Sequence, residues 1–195
     1  MAFDIEETLA RIPERSLKAD AIKATGLENT GDFISMGVAD MSFKPPCVVL
    51  DVLTNEIKQG FFGYYGGKNN YKAALKNWMK QMHSWEPKSE WIHTALGLVA
   101  AIGTALRAYT SKGDGIILFS PVYHSFKKII QANERNPVEC PMNLTEGKYY
   151  LDLGRLEGML TGKEKMIIFC SPHNPGGRIW SLEIQRELAY FCKKH

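Results

Sequence analysis

The chain has 195 residues, 45% hydrophobic, 11% aromatic and 23% charged, which is material for one domain of ordinary size and excludes a fibrous or disordered chain. Its formal net charge of +3 arises from 24 basic and 21 acidic residues with no run of one sign, so the charge pattern gives no support to a nucleic-acid or membrane-surface partner. No apolar run approaches the ~18 residues of a membrane span and the acidic start Met1-Ala-Phe-Asp-Ile-Glu-Glu7 is not that of a signal peptide, which leads to the expectation of a soluble, cytoplasmic protein.

Residues 1–45 read as an irregular arm, interrupted by Gly26, Gly31 and Gly37 and closed by Lys44-Pro45-Pro46. From Val48 the pattern is helical: Val49, Val52, Leu53 and Ile57 recur at three-to-four spacing, and Gly60 stands where a C-cap belongs. Phe61-Phe-Gly-Tyr-Tyr-Gly-Gly67 follows as a loop rich in both glycine and aromatic residues. Asn69 and Asn70 are candidate caps of a second helix whose stripe is Tyr71, Leu75, Trp78, Met79 and Met82.

Beyond this point strands and helices alternate. Leu98, Ile102, Leu106 and Tyr109 mark a helix, and Ile116-Ile-Leu-Phe119 is a short continuous apolar run, as in a strand buried on both faces. A helix around Phe126 and Ile130, a strand near Val138, a helix around Leu153, Leu156 and Leu160, and a strand at Met166-Ile-Ile-Phe169 continue the order. The last element starts at Ser181 as N-cap, with Ile184, Leu188, Phe191 and Cys192 on one face. Such alternation predicts an α/β fold: a three-layer αβα sandwich with a mainly parallel sheet, preceded by the arm. With only three strands in this part and a final helix without successor, the expectation is the N-terminal part of a longer protein with an incomplete sheet.

Cys47, Cys140, Cys170 and Cys192 lie too far apart for a CxxC pair and read as free buried thiols of a reducing compartment. The five histidines have no HExxH-type spacing, so no metal site is expected.

In an open parallel sheet, ligands bind beyond the carboxyl ends of the strands. Three segments belong there: Ser120-Pro-Val-Tyr-His-Ser-Phe126 after one strand, Cys170-Ser-Pro-His-Asn-Pro-Gly-Gly-Arg178 after another, and Thr94-Ala-Leu-Gly-Leu-Val-Ala100, which enters a helix through a glycine. The last leaves the amides of Leu98 and Val99 unpaired at a positive helix end, suited to phosphate. Singly each signal has a plain structural reading: Tyr123 as packing, Gly97 as backbone freedom, Asn174 as a turn residue. Their shared location is the stronger argument.

Together these segments resemble pyridoxal-phosphate enzymes of the aspartate-aminotransferase fold (class I/II, fold type I), within them the cystathionine β-lyase-like group of the MalY/PatB type. The resemblance rests on Val38-Ala-Asp-Met-Ser-Phe43, Phe62-Gly-Tyr64 followed by Tyr71, Trp78-Met79, Glu90-Trp-Ile92, Ser120-Pro-Val-Tyr123 and, above all, Cys170–Arg178. It implies pyridoxal 5′-phosphate as cofactor, with Gly97 and the amides of Leu98 and Val99 at the phosphate, Tyr123 stacked on the ring and Asn174 donating to the phenolic oxygen. It further implies Tyr64 reaching the phosphate of a neighbouring subunit in a homodimer, and Ala39 with Asn174 beside the substrate. Residues 1–45 then comprise the arm and part of a small domain, and 46–195 the start of the cofactor-binding domain.

Gly37 and Ser42 depart from that group's tryptophan and aspartate, as Ala95-Leu96 and Tyr65 do from its threonine-proline and threonine. The Schiff-base lysine implied by the resemblance lies beyond His195, so no catalytic residue is assigned here and the 195-residue chain alone is expected to be inactive. The implied activity is that of a carbon–sulfur β-lyase on a sulfur-containing amino acid, with an aminotransferase as alternative; a reading of another class is an inactive remnant acting through chain association. A dinucleotide-binding domain is excluded because no GxGxxG follows the first strand.

Overall fold

In the computed structural model, which describes residues 16–26, 39, 43–64, 66 and 68–195, the chain divides into two compact units, Met1–Tyr71 and Lys72–His195. In the first, Ser16 opens helix α1 (Leu17–Thr25) by accepting the Ala19 amide on Oγ at 3.1 Å, and Gly26 ends it at φ 69°. The reading of residues 1–45 as irregular is corrected over this stretch. With no buried residue and so no apolar stripe, α1 is marked only by its caps; most of the remaining arm lies outside the described residues. Helix α2 (Cys47–Gln59) follows Pro46 and ends at Gly60, φ 68°, where the sequence places its C-cap. Its apolar residues Val48, Val52, Leu53 and Ile57 are exposed. Helix α3 (Lys68–His83) begins before the two asparagines, which therefore sit in its first turn and not at a cap.

The second unit continues with α4 (Leu98–Tyr109), β1 (Gly115–Ser120), α5 (His124–Ala132), β2 (Asn136–Pro141), β3 (Asn143–Thr145), β4 (Lys148–Tyr150), α6 (Leu153–Met159), β5 (Glu164–Ile168) and α7 (Leu182–Lys194). Strands β2, β1 and β5 form a parallel sheet in that order, Ile117 facing Val138 on one side and Ile167 on the other. Successive side chains of β1 point to opposite faces. Ile116 and Leu118 pack with Leu106 of α4 and Phe126 and Ile130 of α5, whereas Ile117 and Phe119 pack with Leu156 of α6, Trp180, and Leu188 and Phe191 of α7. This is the three-layer α/β arrangement that the alternation predicts.

Helices α4 and α5 lie side by side in matched register. A Cβ on Gly103 would sit 3.1 Å from Ile129 Cδ1, and Arg107 Nη1 donates to Asn133 Oδ1 at 2.8 Å. Both pairs are 26 positions apart, so the helices run in the same direction and Leu98 is level with His124. The buried Arg135 guanidinium closes the other end of α4, donating to the carbonyls of Leu106 and Thr110 and to Thr110 Oγ1, a cation placed at the negative helix terminus.

The β3–β4 hairpin is absent from the sequence reading. Its turn residues Glu146 and Gly147 both have positive φ, 50° and 72°, the conformation of a type I′ turn, but Glu-Gly lacks the asparagine or aspartate that usually announces one. Leu160 is the C-cap of α6, outside its helical turns. None of the four cysteines is in a disulfide; Cys140 is buried, Cys170 half-buried, and Cys47 and Cys192 exposed, which corrects the expectation that all are buried. Among the described residues no helix is long and apolar enough to cross a membrane.

Because Leu118 is fully buried between β1 and the α4–α5 layer, Leu118→Ala is expected to lower stability by about 2–5 kcal/mol. Leu144→Ala, at a site 60% exposed, is expected to change it by less than about 0.5 kcal/mol. Urea unfolding followed by circular dichroism measures both.

Candidate functional site

Parallel pairing brings the carboxyl ends of β1 and β5 to one edge of the sheet, so the loops from Ser120 and from Phe169 leave side by side. The register of α4 against α5 carries the start of α4 to the same edge. Ile102, one turn into α4, Tyr123 after β1 and Cys170 after β5 pack on one buried cluster. Three segments singled out in the sequence thus converge in the second unit.

Helix α4 starts at Gly97, φ 88° and ψ 159°, with no side-chain cap. Its first internal bond is from the Ala101 amide to the Gly97 carbonyl, 3.2 Å, which leaves the amides of Leu98 and Val99 without a helical acceptor. Among the described residues nothing lies within 4 Å of the position of a Cβ on Gly97. Leu96 and Leu98 are exposed. The result is an open, positively polarised helix end that can accept an anion.

Tyr123 is the residue before α5, half-buried, its ring edge-to-face on Phe126 at a centroid distance of 5.5 Å. Asn174 is exposed. Its peptide bond to Pro175 is cis, as are those joining Ser120 to Pro121 and Ser171 to Pro172. The Asn174 amide donates to Cys170 Sγ at 3.4 Å, and the Cys170 carbonyl accepts Trp180 Nε1 at 3.0 Å.

His173 holds the turn beyond Asn174. Its amide donates to the Arg178 carbonyl at 2.7 Å, its carbonyl accepts the Gly177 amide at 2.8 Å, and its Nδ1 accepts the Gly176 amide at 3.2 Å. A Cβ on Gly176 would lie 2.8 Å from that Nδ1 and 2.9 Å from Tyr149 Cδ2, so glycine is required for the close approach. Burial pushes the His173 pKa below the ordinary histidine value. The Arg178 guanidinium lies over the Tyr150 ring at 4.9 Å. In the sequence His173 is marked only by its position between two prolines, within the motif Cys170–Arg178.

Tyr64 and Ala39 belong to the first unit and are both exposed. Gly37, Ser42 and Tyr65 lie outside the described residues. Among the described residues no group of three or more histidine, cysteine, aspartate or glutamate side chains is placed to hold a metal ion.

Parallel strands with helices on both faces and three loops gathered at one edge are features of a family of known enzymes. The model of that family, Aminotransferase class I and II, matches residues 32–195, and the chain belongs to it. The chain is 34% identical over 196 residues to cystathionine beta-lyase PatB of Bacillus subtilis (strain 168), with 100% of this chain and 50% of PatB covered. It superposes on cystalysin from Treponema denticola, a structure that contains pyridoxal 5′-phosphate, with a TM-score of 0.91 and 33% identity over 100% of this chain and 50% of cystalysin. A putative aminotransferase from Clostridium difficile 630, bound to the same cofactor, matches with a TM-score of 0.88 and 32% identity, again over 100% and 50% of the two chains. The chain thus spans about half the length of these relatives.

The φ and ψ of Gly97 lie in a region that is essentially reserved for glycine. Despite the open space around it, Gly97→Ala is expected to cost about 1–3 kcal/mol of stability. Urea unfolding of the variant beside the parent protein is the check.

Proposed function

We propose that the chain is part of a pyridoxal-phosphate-dependent enzyme acting on amino acids, and that its reaction is the lysis of a carbon–sulfur bond at the β-position of a sulfur-containing amino acid. The observation that carries this reading is the uncapped start of α4 at the same sheet edge as Tyr123 and Asn174, in a chain of the class I and II family. The site fits the cofactor on its own chemistry: unpaired amides and unfilled space at Gly97 suit a phosphate, and an aromatic face and an exposed carboxamide suit a flat polar ring. When bound, that group supplies an electron sink for the α-carbon of an amino acid.

The protein's own residues hold and orient. Leu98 and Val99 donate their amides to the phosphate, and Gly97 keeps side-chain atoms away from it. Tyr123 lies against the ring, and Asn174 donates its side-chain amide to the phenolic oxygen while also facing the substrate; for Ala39, in the other unit, a substrate contact through its backbone is carried by the family resemblance alone. Tyr64 reaches a neighbouring subunit's phosphate in a homodimer, which is cytoplasmic. Residues 1–45 serve as arm and part of a small domain, and residues 46–195 as the first part of the cofactor-binding domain. Lysine is absent from segments 94–100, 120–126 and 170–178, so none of these three segments supplies an amine for covalent attachment, and on this reading the chain alone is inactive. Aminotransfer is the second reading, favoured by the likeness to the Clostridium difficile protein. L-cystathionine separates the two with full-length protein: formation of thiol, ammonia and 2-oxo acid without an added acceptor supports lysis, and dependence on an added 2-oxo acid supports aminotransfer. Neither product overturns the proposal.

Asn174→Ala removes a charge-assisted hydrogen bond and is expected to cost about 1–3 kcal/mol in transition-state stabilisation, read as lower turnover. Tyr123→Ala instead loosens cofactor binding by about fivefold, because stacking of about 1 kcal/mol holds the ring without polarising it. Cofactor titration and steady-state kinetics check both.

Tyr64 is tested by mixing full-length Tyr64→Phe and Asn174→Ala proteins. If Tyr64 serves the neighbour, the mixed dimer gathers both defects in one site and leaves the other intact. Activity is then expected to exceed the mean of the two parents; activity at that mean assigns Tyr64 to its own subunit or to packing.

A further inference from the structure

We propose that His173 is the positioning residue of the Asn174 loop: its neutral imidazole, protonated on Nε2, accepts the Gly176 amide on Nδ1 and sets the turn from which Asn174 is presented. The part that concerns the cofactor rests on the reading of Asn174 given above. The turn-setting part rests on geometry alone.

Prolines at 172 and 175 have no amide hydrogen, so the loop depends on few donors. The amides of His173, Gly176 and Gly177 all make bonds to the Arg178 carbonyl or to His173 itself, and that of Asn174 goes to Cys170 Sγ. Two of the three bonds at His173 use its backbone and do not depend on the side chain, proline excepted. The third, from the Gly176 amide, needs the side chain. Because Nδ1 accepts that bond it carries a lone pair, which places the proton on Nε2.

His173 is 4% exposed, its ring edge-on to Trp180 at 5.9 Å, and Trp180 is tied by its own Nε1 to the Cys170 carbonyl. Burial without an anionic partner disfavours the imidazolium. Nε2 has no hydrogen-bond partner of ordinary geometry among the described residues; the Phe119 backbone lies near enough to the ring to favour its proton, and the ring's bond to the loop itself is the one at Nδ1. A substituent on Gly176 would meet that atom, and the glycine and the histidine therefore act as a matched pair.

Three substitutions separate this role from simple space filling. Leucine retains apolar bulk without an acceptor, asparagine places Oδ1 near the position of Nδ1, and glutamine places its amide near Nε2. In the 15N-labelled full-length protein, His173→Leu is expected to exchange the Gly176 amide proton about tenfold faster and to bind pyridoxal phosphate about tenfold more weakly, the effect of losing one partly buried hydrogen bond. His173→Asn restores both to within about threefold and His173→Gln restores neither, by the same count of acceptors. Urea unfolding shows that each variant is folded. The proposal is overturned if His173→Leu matches the parent, if folded His173→Asn is as impaired as His173→Leu, if His173→Gln restores both properties, or if exchange accelerates without loss of cofactor affinity. A parent protein that does not bind pyridoxal phosphate refutes the functional reading instead, and the ranking of Gly176 exchange rates then decides the turn-setting role by itself.

Discussion

Burial of β1 on both faces is the constraint on which the second unit depends. Ile116, Ile117, Leu118 and Phe119 are all nearly inaccessible, and alternation sends consecutive side chains to opposite sides. One sheet face cannot satisfy such a strand; helices must cover both. Parallel neighbours on either side satisfy its backbone groups, and each crossover helix returns the chain to the same starting edge. The loops that follow the strands are thereby collected at the opposite, carboxyl edge. The location of the candidate site follows from packing before any of its residues is considered.

Within that edge, stability and availability are divided between elements. Asp152 caps α6 by accepting the Arg155 amide, and Ser181 caps α7 by accepting the Ile184 amide. Helices α4 and α5, which flank the site, have no side-chain cap. Open amides at α4 leave hydrogen-bonding capacity unused among the described residues, and a glycine with φ 88° is required to start the helix there. Asn174 is similarly exposed, whereas the residue before it is buried and engaged in three hydrogen bonds. A fixed support next to an accessible functional group is what ligand orientation requires.

Much of this was legible in the sequence. The continuous apolar run of β1, the stripe of α4 and the Ser181 cap of α7 are local patterns, and each appears where the pattern places it. The two loops after β1 and β5 also fall where the βα order predicts. Misses occurred where the local pattern was weak or ambiguous. Helix α1 buries nothing and is held by its caps; the β3–β4 turn uses Glu-Gly in place of a stronger hairpin pair; and the two asparagines near the start of α3 lie in its first turn.

What the sequence by itself determined was the α/β class, the order of the helices and of the parallel strands in the second unit, and the family, because hydrophobic period, caps and short motifs depend on residues a few positions apart. Only the tertiary structure decided the strand order, the register of α4 on α5, and the burial of His173 against Gly176 and Trp180. Those features join residues whose proximity is created by packing. A histidine between two prolines has the same local signature whether it faces water or holds a turn, and only the elements folded around it determine which of its nitrogens is an acceptor.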